Sequence, residues 1–143
     1  MKIAIIGYGR MGKTVHELAE KAGHEIIVTI DNEDEWKQRE AELKKADVAI
    51  EFSTPGTVVE NIGKCFKLNI PAVVGTTAWD DHLDRIRQEC LDGKHSLFVA
   101  SNFSIGVNIF FRVNRYLAKL MDHFGEYDPE IEEIHHAKKL DVP

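Results

Sequence analysis

Short apolar runs alternate with longer stretches of helical spacing along most of this chain. Ile3, Ala4, Ile5 and Ile6 form the first run, rich in the branched residues that suit a buried strand. From Met11 the apolar positions change period, and Met11, Val15, Leu18, Ala19 and Ala22 are predicted to share one helix face. Further strand-like runs fall at 26–30, 48–52, 72–74 and 97–99. Between them the sequence predicts a solvated helix over 33–45, anchored by Trp36 and Leu43. A second helix is predicted to open at Thr54 as N-cap with Pro55 in its first turn and to run to about residue 68. A third is expected over about 80–91. The longest helical pattern places Ile109, Phe110, Val113, Leu117, Leu120, Met121 and Phe124 on one face, and ends near Gly125, before Pro129. Beyond it, Glu130, Ile131, Glu132 and Ile134 alternate as a half-exposed strand would.

Five alternations of strand and helix predict an α/β fold with a parallel, doubly wound sheet. The join between the first strand and its helix carries Gly7, Tyr8, Gly9, Arg10, Met11 and Gly12, a G-x-G-x-x-G turn. In that setting Gly7 lets the strand turn sharply and Gly9 lets the backbone approach a pyrophosphate. Gly12 lets the helix come close to the sheet with its free amides aimed at the anion. The reading is a Rossmann-like dinucleotide site; the alternative is that the glycines serve only a tight turn. Asp31 ends the second strand 19 residues beyond Gly12, near the spacing of the acid that grips the adenosine ribose. Its alternative role is to cap the next helix. A carboxylate at that point repels a 2′-phosphate, and Asn32, Glu33 and Asp34 supply no cation. NADH is therefore favoured over NADPH, although Arg10 and Arg39 are within reach of a 2′-phosphate by sequence. The loops after the later strands hold small and polar residues, at the sheet edge where such folds bind ligands.

The 143 residues suffice for one domain or a domain with part of another. A dinucleotide-binding domain is expected over 1–126 and the start of a second, substrate-binding unit over 127–143. A net charge of −6 argues against a nucleic-acid partner held by its phosphates. No stretch is long and apolar enough for a membrane span, and no cleavable leader is seen, so a cytoplasmic protein is expected. Cys65 and Cys90 form no metal-binding or redox motif and suit a reducing compartment. Against this acidic background one basic cluster stands out, at His135, His136, Lys138 and Lys139. Histidines and a lysine around a pocket suit proton transfer and carboxylate binding. Adjacent histidines on a strand face opposite ways and lack a third ligand at suitable spacing, so no metal is expected. The plainer alternative is a solvated strand end.

These residues together resemble the 4-hydroxy-tetrahydrodipicolinate reductase family, also called dihydrodipicolinate reductase, of diaminopimelate and lysine synthesis. The matching stretches run in order along the chain: Gly7 to Gly12, Glu51-Phe52-Ser53-Thr54-Pro55, Val74-Gly75-Thr76-Thr77, Asn102-Phe103-Ser104 and Gly106-Val107-Asn108. Glu133-Ile134-His135-His136 with Lys139, Asp141 and Pro143 completes them and is the most specific. The resemblance implies a homotetrameric oxidoreductase that passes hydride from NADH or NADPH to a cyclic, unsaturated imine dicarboxylate. It implies His135 as the acid/base residue, Lys139 as the proton donor, and His136 and Thr77 as substrate-binding. It further implies that Gly75, Thr76 and Thr77, with Ala100, Ser101, Asn102 and Phe103, hold the nicotinamide end, and that Asp31 is the ribose acid. The glycine turn is one residue shorter than in many members, and no Arg follows Asp31. A Ser-Gly-Thr turn and a long further stretch of substrate domain, implied by the family, do not follow Pro143 here. The chain alone is thus expected to lack the tetramer. Two other readings stay open: a truncated module that binds dinucleotide without turnover, and a dinucleotide-sensing regulatory domain.

Overall fold

A computed structural model describes residues 1–132 and Ile134. The chain forms two compact units, Met1–Ser101 and a second that begins at Asn102. The division at 126/127 expected from the sequence differs from this one in the unit to which the longest helix is given.

The first unit is a five-stranded parallel sheet built from β1 (Lys2–Ile6), β2 (Glu25–Ile30), β3 (Val48–Glu51), β4 (Ala72–Val74) and β5 (Leu97–Val99), in the order β2-β1-β3-β4-β5. The chain steps from β1 outward to β2, then returns to the other side of β1 and adds strands in one direction. The direction therefore reverses between β1 and β3, and in open α/β sheets the crevice at such a reversal is where ligands bind. The Rossmann-like, doubly wound expectation is met.

Side chains alternate across the sheet, as strand geometry requires. Ala4 and Ile6 face the larger core, with Val28, Ile30, Leu43, Ala49, Val58, Ile62, Cys65 and Val74. That face is covered by α3 (Glu40–Leu43), α4 (Val58–Lys67) and α5 (Leu83–Asp92), with Trp36 of α2 (Glu33–Gln38) completing it. Ile3 and Ile5 face the other way, against Ala19 and Val15 of α1 (Arg10–Lys21). Along the row Ile5, Ile50, Val73, Phe98, cover falls away with distance from α1, and Phe98 is 59% exposed. Only α1 protects this face within the unit.

Several local expectations are corrected. Met11 and Leu18 are exposed, and the inward line of α1 is Gly12 and Ala19, both buried, with the half-buried Val15 between them. At Gly12 a Cβ would collide with the Gly7 carbonyl oxygen and lie 3.3 Å from Ile5 Cγ2, so it is Gly12 and not Met11 that meets the first strand and its turn. The helix expected from Thr54 starts at Val58 instead. The Thr54 carbonyl accepts from the amides of both Thr57 and Val58, so Pro55 and Gly56 belong to a turn ahead of the helix. The polar stretch 33–45 divides at Arg39 into α2 and α3. Lys64 of α4 bonds Glu33 and lies 4.9 Å from the centre of the Trp36 ring, which ties this polar segment to the core. Burial acts to lower the Lys64 pKa, but hydrogen bonds to Glu33 and Glu60 outweigh it and raise the value.

In the second unit, α6 (Ile105–Met121) is capped by Ser104, whose hydroxyl accepts from the Val107 amide at 3.4 Å. None of its residues is buried among the described residues, and Ile109, Phe110, Val113, Leu117 and Leu120 are all about half exposed or more. The apolar face expected from the sequence is present. Residues 127–132 and Ile134 have no regular secondary structure, so the strand expected there is not formed among the described residues.

Two outcomes are expected. Ile62 is fully buried, and Ile62→Ala should cost about 2–5 kcal/mol in urea unfolding. Burial, assisted by the negative charge of Glu51, pushes the Cys65 thiol up from 9.0 to about 12. The folded chain keeps this proton where the unfolded chain loses it. The stability this contributes is complete below about pH 9 and is lost as pH rises toward 12, by up to about 1.4 kcal/mol per unit. Cys65→Ala should flatten that part of the stability–pH curve; an unchanged slope would mean that the thiol ionises in the folded state.

Candidate functional site

The backbone hydrogen bonding of the sheet continues one residue past the strands. The Gly7 amide donates to the Ile30 carbonyl at 2.7 Å, Phe52 to Ile6 at 2.8 Å, Gly75 to Glu51 at 2.9 Å and Ala100 to Val74 at 3.2 Å. This ladder sets the loops that begin at Gly7, Asp31, Phe52, Gly75 and Ala100 side by side along one edge. Most of the candidate cofactor residues lie on that edge.

Gly7 has φ +85°, a conformation that disfavours any side chain, and a Cβ there would collide with the carbonyl of Phe52. A Cβ on Gly12 would collide with the Gly7 carbonyl oxygen. These two glycines are thus required by the protein itself. Gly9 differs, because a Cβ there meets nothing within 4 Å. Gly9 caps α1, whose amino terminus has no side-chain cap and no acidic residue in its first turn. The open space over Gly9 and the uncapped amides fit a pyrophosphate.

Asp31 closes the other side of the turn. Its Oδ1 accepts the Tyr8 amide at 2.8 Å, and its own amide donates to Glu35 Oε2 at 2.6 Å. Asn32, not Asp31, caps α2, with Oδ1 accepting from the Glu35 amide at 3.0 Å. The capping alternative for Asp31 is therefore set aside. Asp31 Oδ2 has no protein partner among the described residues and is available to ribose hydroxyls. The Tyr8 hydroxyl lies 2.9 Å from His16 Nδ1, which fastens the turn to α1. Arg39 donates from Nη1 to the Thr29 carbonyl at 3.2 Å, whereas the Arg10 side chain has no partner among the described residues.

Further along the edge, a Cβ on Gly75 would fall inside the Phe52 ring. Thr76 is buried, with Oγ1 donating to Glu51 Oε2 at 2.6 Å and its carbonyl accepting from Trp79 Nε1 at 2.8 Å. Ala78 adopts φ +61°, costly for a residue with a Cβ. Thr76, Thr77, Trp79, Leu83, Val99 and Ser101 line one cleft of about 230 Å³. The first unit therefore brings Thr76, Thr77 and Ser101 together, with Ala100 at the root of the last loop.

Asn102 and Phe103 fall in the second unit. There Asn102 Oδ1 accepts the Ser104 amide at 2.8 Å, and the Asn102 carbonyl accepts from Asn108 Nδ2 at 2.9 Å. The expected catalytic residues His135 and Lys139, and His136, lie outside the described residues. Sequence reasoning assigned no role to Glu51, which is 1% exposed at the end of the central strand β3. The available signal was a carboxylate closing an otherwise apolar strand and followed at once by Ser53 and Thr54.

Family models match the whole organisation. Residues 1–103 match the amino-terminal part of dihydrodipicolinate reductase, and residues 106–143 match its carboxy-terminal part. A 4-hydroxy-tetrahydrodipicolinate reductase from Christiangramia forsetii is 43% identical over 143 residues, covering all of this chain and 59% of the relative. The reductase of the same name from Staphylococcus aureus strain MRSA252 is 38% identical over 149 aligned residues, covering all of this chain and 60% of the relative. The chain thus spans about three-fifths of the length of these curated relatives. Among solved structures, the dipicolinate-bound dihydrodipicolinate reductase from Paenisporosarcina sp. TG-14 superposes with a TM-score of 0.68 at 25% identity, over 82% of this chain and 53% of that one. A probable dehydrogenase from Thermotoga maritima shares the fold, with a TM-score of 0.54 at 20% identity over 87% of this chain and 41% of its own. No helix among the described residues is long and apolar enough to cross a membrane. With its glycine turn, its strand-end loops and both family models in chain order, this chain belongs to the dihydrodipicolinate reductase family.

Proposed function

We propose that this chain supplies the dinucleotide-binding domain and the catalytic segment of a reductase acting on 4-hydroxy-tetrahydrodipicolinate, a cyclic dicarboxylate. The observation that carries the reading is the edge where the Gly7–Gly12 turn, bonded to Asp31, lies in line with the Gly75–Thr77 and Ala100–Ser101 loops. The bound nicotinamide cofactor supplies the hydride. The chain's own residues hold it: the open backbone over Gly9 and the first amides of α1 take the pyrophosphate, and Asp31 takes the adenosine ribose. Thr76, Thr77 and Ser101 receive the nicotinamide end, and the family resemblance assigns the same role to Asn102 and Phe103.

We assign proton donation to Lys139, acid/base support to His135 and substrate carboxylate binding to His136 and Thr77. Reduction of an imine adds hydride to carbon and a proton to nitrogen, so a cation beside the nitrogen both supplies the proton and offsets negative charge during the transfer. NADH is favoured over NADPH. Asp31 repels a 2′-phosphate, and Arg39 is occupied by the Thr29 carbonyl, leaving Arg10 as the cation able to turn toward one. We further propose that the protein works in the cytoplasm and that the 143-residue chain alone lacks the homotetramer that the family resemblance implies. The substrate-binding unit is assigned to residues from 127 onward.

Two experiments test this reading. Gly9→Ala should lower the free energy of urea unfolding by no more than about 1 kcal/mol, because its Cβ meets open space and only the N-cap preference for Gly over Ala is lost. It should nevertheless weaken NADH binding tenfold or more, on the order of 1.4 kcal/mol. A variant that binds NADH normally would remove the pyrophosphate from Gly9. Separately, NADH oxidation with freshly generated 4-hydroxy-tetrahydrodipicolinate should fall by at least about 100-fold in Lys139→Ala, the scale of a lost general acid, with NADH affinity unchanged. Equal losses in both would sink the role given to Lys139. NADH binding by the parent chain without turnover would favour the binding-module reading.

A further inference from the structure

Glu51 is a buried carboxylate whose bonded partners are all neutral. Its Oε1 accepts from the Ser53 amide at 3.2 Å, from the Ser53 hydroxyl and from Asn61 Nδ2 at 3.2 Å. Its Oε2 accepts from Thr76 Oγ1 at 2.6 Å. The Ser53 amide and Asn61 Nδ2 can only donate, and the two hydroxyls are placed to donate, so both carboxylate oxygens act as acceptors. A charge held in this way costs a great deal to bury unless its hydrogen bonds are complete, so such a group needs a reason to be there.

The reason lies in what the carboxylate does to the hydroxyls that face it. A hydroxyl has one proton and two lone-pair sites, and a carboxylate oxygen fixes the proton inward. Ser53 Oγ is then saturated, because it also accepts from Asn61 Nδ2 at 3.1 Å and from Thr57 Oγ1 at 3.0 Å. Thr76 Oγ1 makes no other bond among the described residues, so its lone pairs remain unused. Thr76 is further fixed through its carbonyl by Trp79 and lines the cleft with Thr77, Val99 and Ser101. Its hydroxyl oxygen is thereby left able to accept but not to donate, on a residue that lines the cleft.

We propose that Glu51 is a positioning residue that locks the Thr76 hydroxyl as an obligate acceptor for an N–H or O–H donor on the nicotinamide half of the dinucleotide. The donor is the carboxamide NH2 or a hydroxyl of the nicotinamide ribose; both are the same chemistry to Thr76. The inference rests on the dinucleotide reading above and adds to it a residue that does not touch the ligand. Glu51→Gln cannot reproduce the lock. Its amide oxygen can satisfy only one side of the network, and its NH2 must point at another donor or turn the Thr76 proton outward.

The test is the ratio of affinities for NADH and for ADP, which lacks both the nicotinamide and its ribose, measured by calorimetry on the 143-residue chain. Glu51→Gln and Thr76→Val should each lower the preference for NADH about fivefold, the scale of one hydrogen bond, without changing the Kd for ADP. The double variant should be no worse than either single one, and Thr76→Ser should keep the parent ratio. Ser53→Ala removes a different bond to Glu51; it should lower the urea midpoint and leave the ratio alone. If Glu51→Gln does not fold, Thr76→Val against Thr76→Ser still decides. Reduced 3-acetylpyridine adenine dinucleotide, with a methyl group in place of the NH2, separates the two donors. Parent binding about fivefold weaker than to NADH identifies the carboxamide, and equal binding identifies the ribose. An unchanged ratio in Thr76→Val, or an equal loss in Ser53→Ala, overturns the proposal while ADP binding keeps the dinucleotide reading intact. Parent protein that binds neither ligand overturns both.

Discussion

The structure depends on one constraint: the sheet's hydrogen-bond ladder runs past the last residue of the strands. Because Gly7, Phe52, Gly75 and Ala100 each donate to the strand beside them, the loops that follow have fixed starting points relative to one another. A loop is ordinarily the least determined part of a domain. Here the first step of each loop is still part of the sheet, and the crevice between β1 and β3 takes its shape from strand register. The consequence for function is preorganisation. The groups proposed to meet the two ends of a dinucleotide are set in place when the core forms, and little ordering is left to be done on binding.

The fold was legible because each of its signals is local and physical. Ile3 to Ile6 followed by the glycine turn could be read as strand, turn and helix from period alone, and β2 to β5 were visible as short runs of branched residues. What was misread was decided by tertiary contacts. Met11 and Leu18 have the right spacing for a buried face, but α1 packs through Gly12, Val15 and Ala19 instead. Thr54 and Pro55 have the chemistry of a helix start, but the Thr54 carbonyl closes a turn before α4 begins. Glu51 had a signal without a meaning. A carboxylate in an apolar strand can be seen in the sequence, but its donors, Asn61 and Thr76, come from other elements and cannot be.

The two units differ in how their apolar residues are used. In the first, nearly every strand residue on the larger-core face is buried, and the polar groups placed among them, Glu51, Asn61 and Thr76, bond to one another. In the second, α6 has a comparable stock of large apolar side chains and leaves them in contact with water. By composition such a helix is a core helix, and its stability in isolation would rest on propensity and capping alone. The Ser104 cap and the side-chain bonds of Asn108 to the Asn102 and Ser104 carbonyls secure its first turn.

Phe52 links features that are far apart in the sequence. Its carbonyl occupies the space a side chain on Gly7 would need, and its ring occupies the space a side chain on Gly75 would need. The glycine turn after β1 and the Gly75-Thr76-Thr77 loop after β4 are thus two sides of a single mould around one aromatic residue. In the history of the chain these positions are not free to drift separately. A larger residue at Gly75 becomes tolerable only once the ring at 52 has shrunk, and a smaller residue at 52 opens a void beneath both ligand loops. The order in which such changes occur is therefore constrained, and Phe52 is the position through which variation in one loop is communicated to the other.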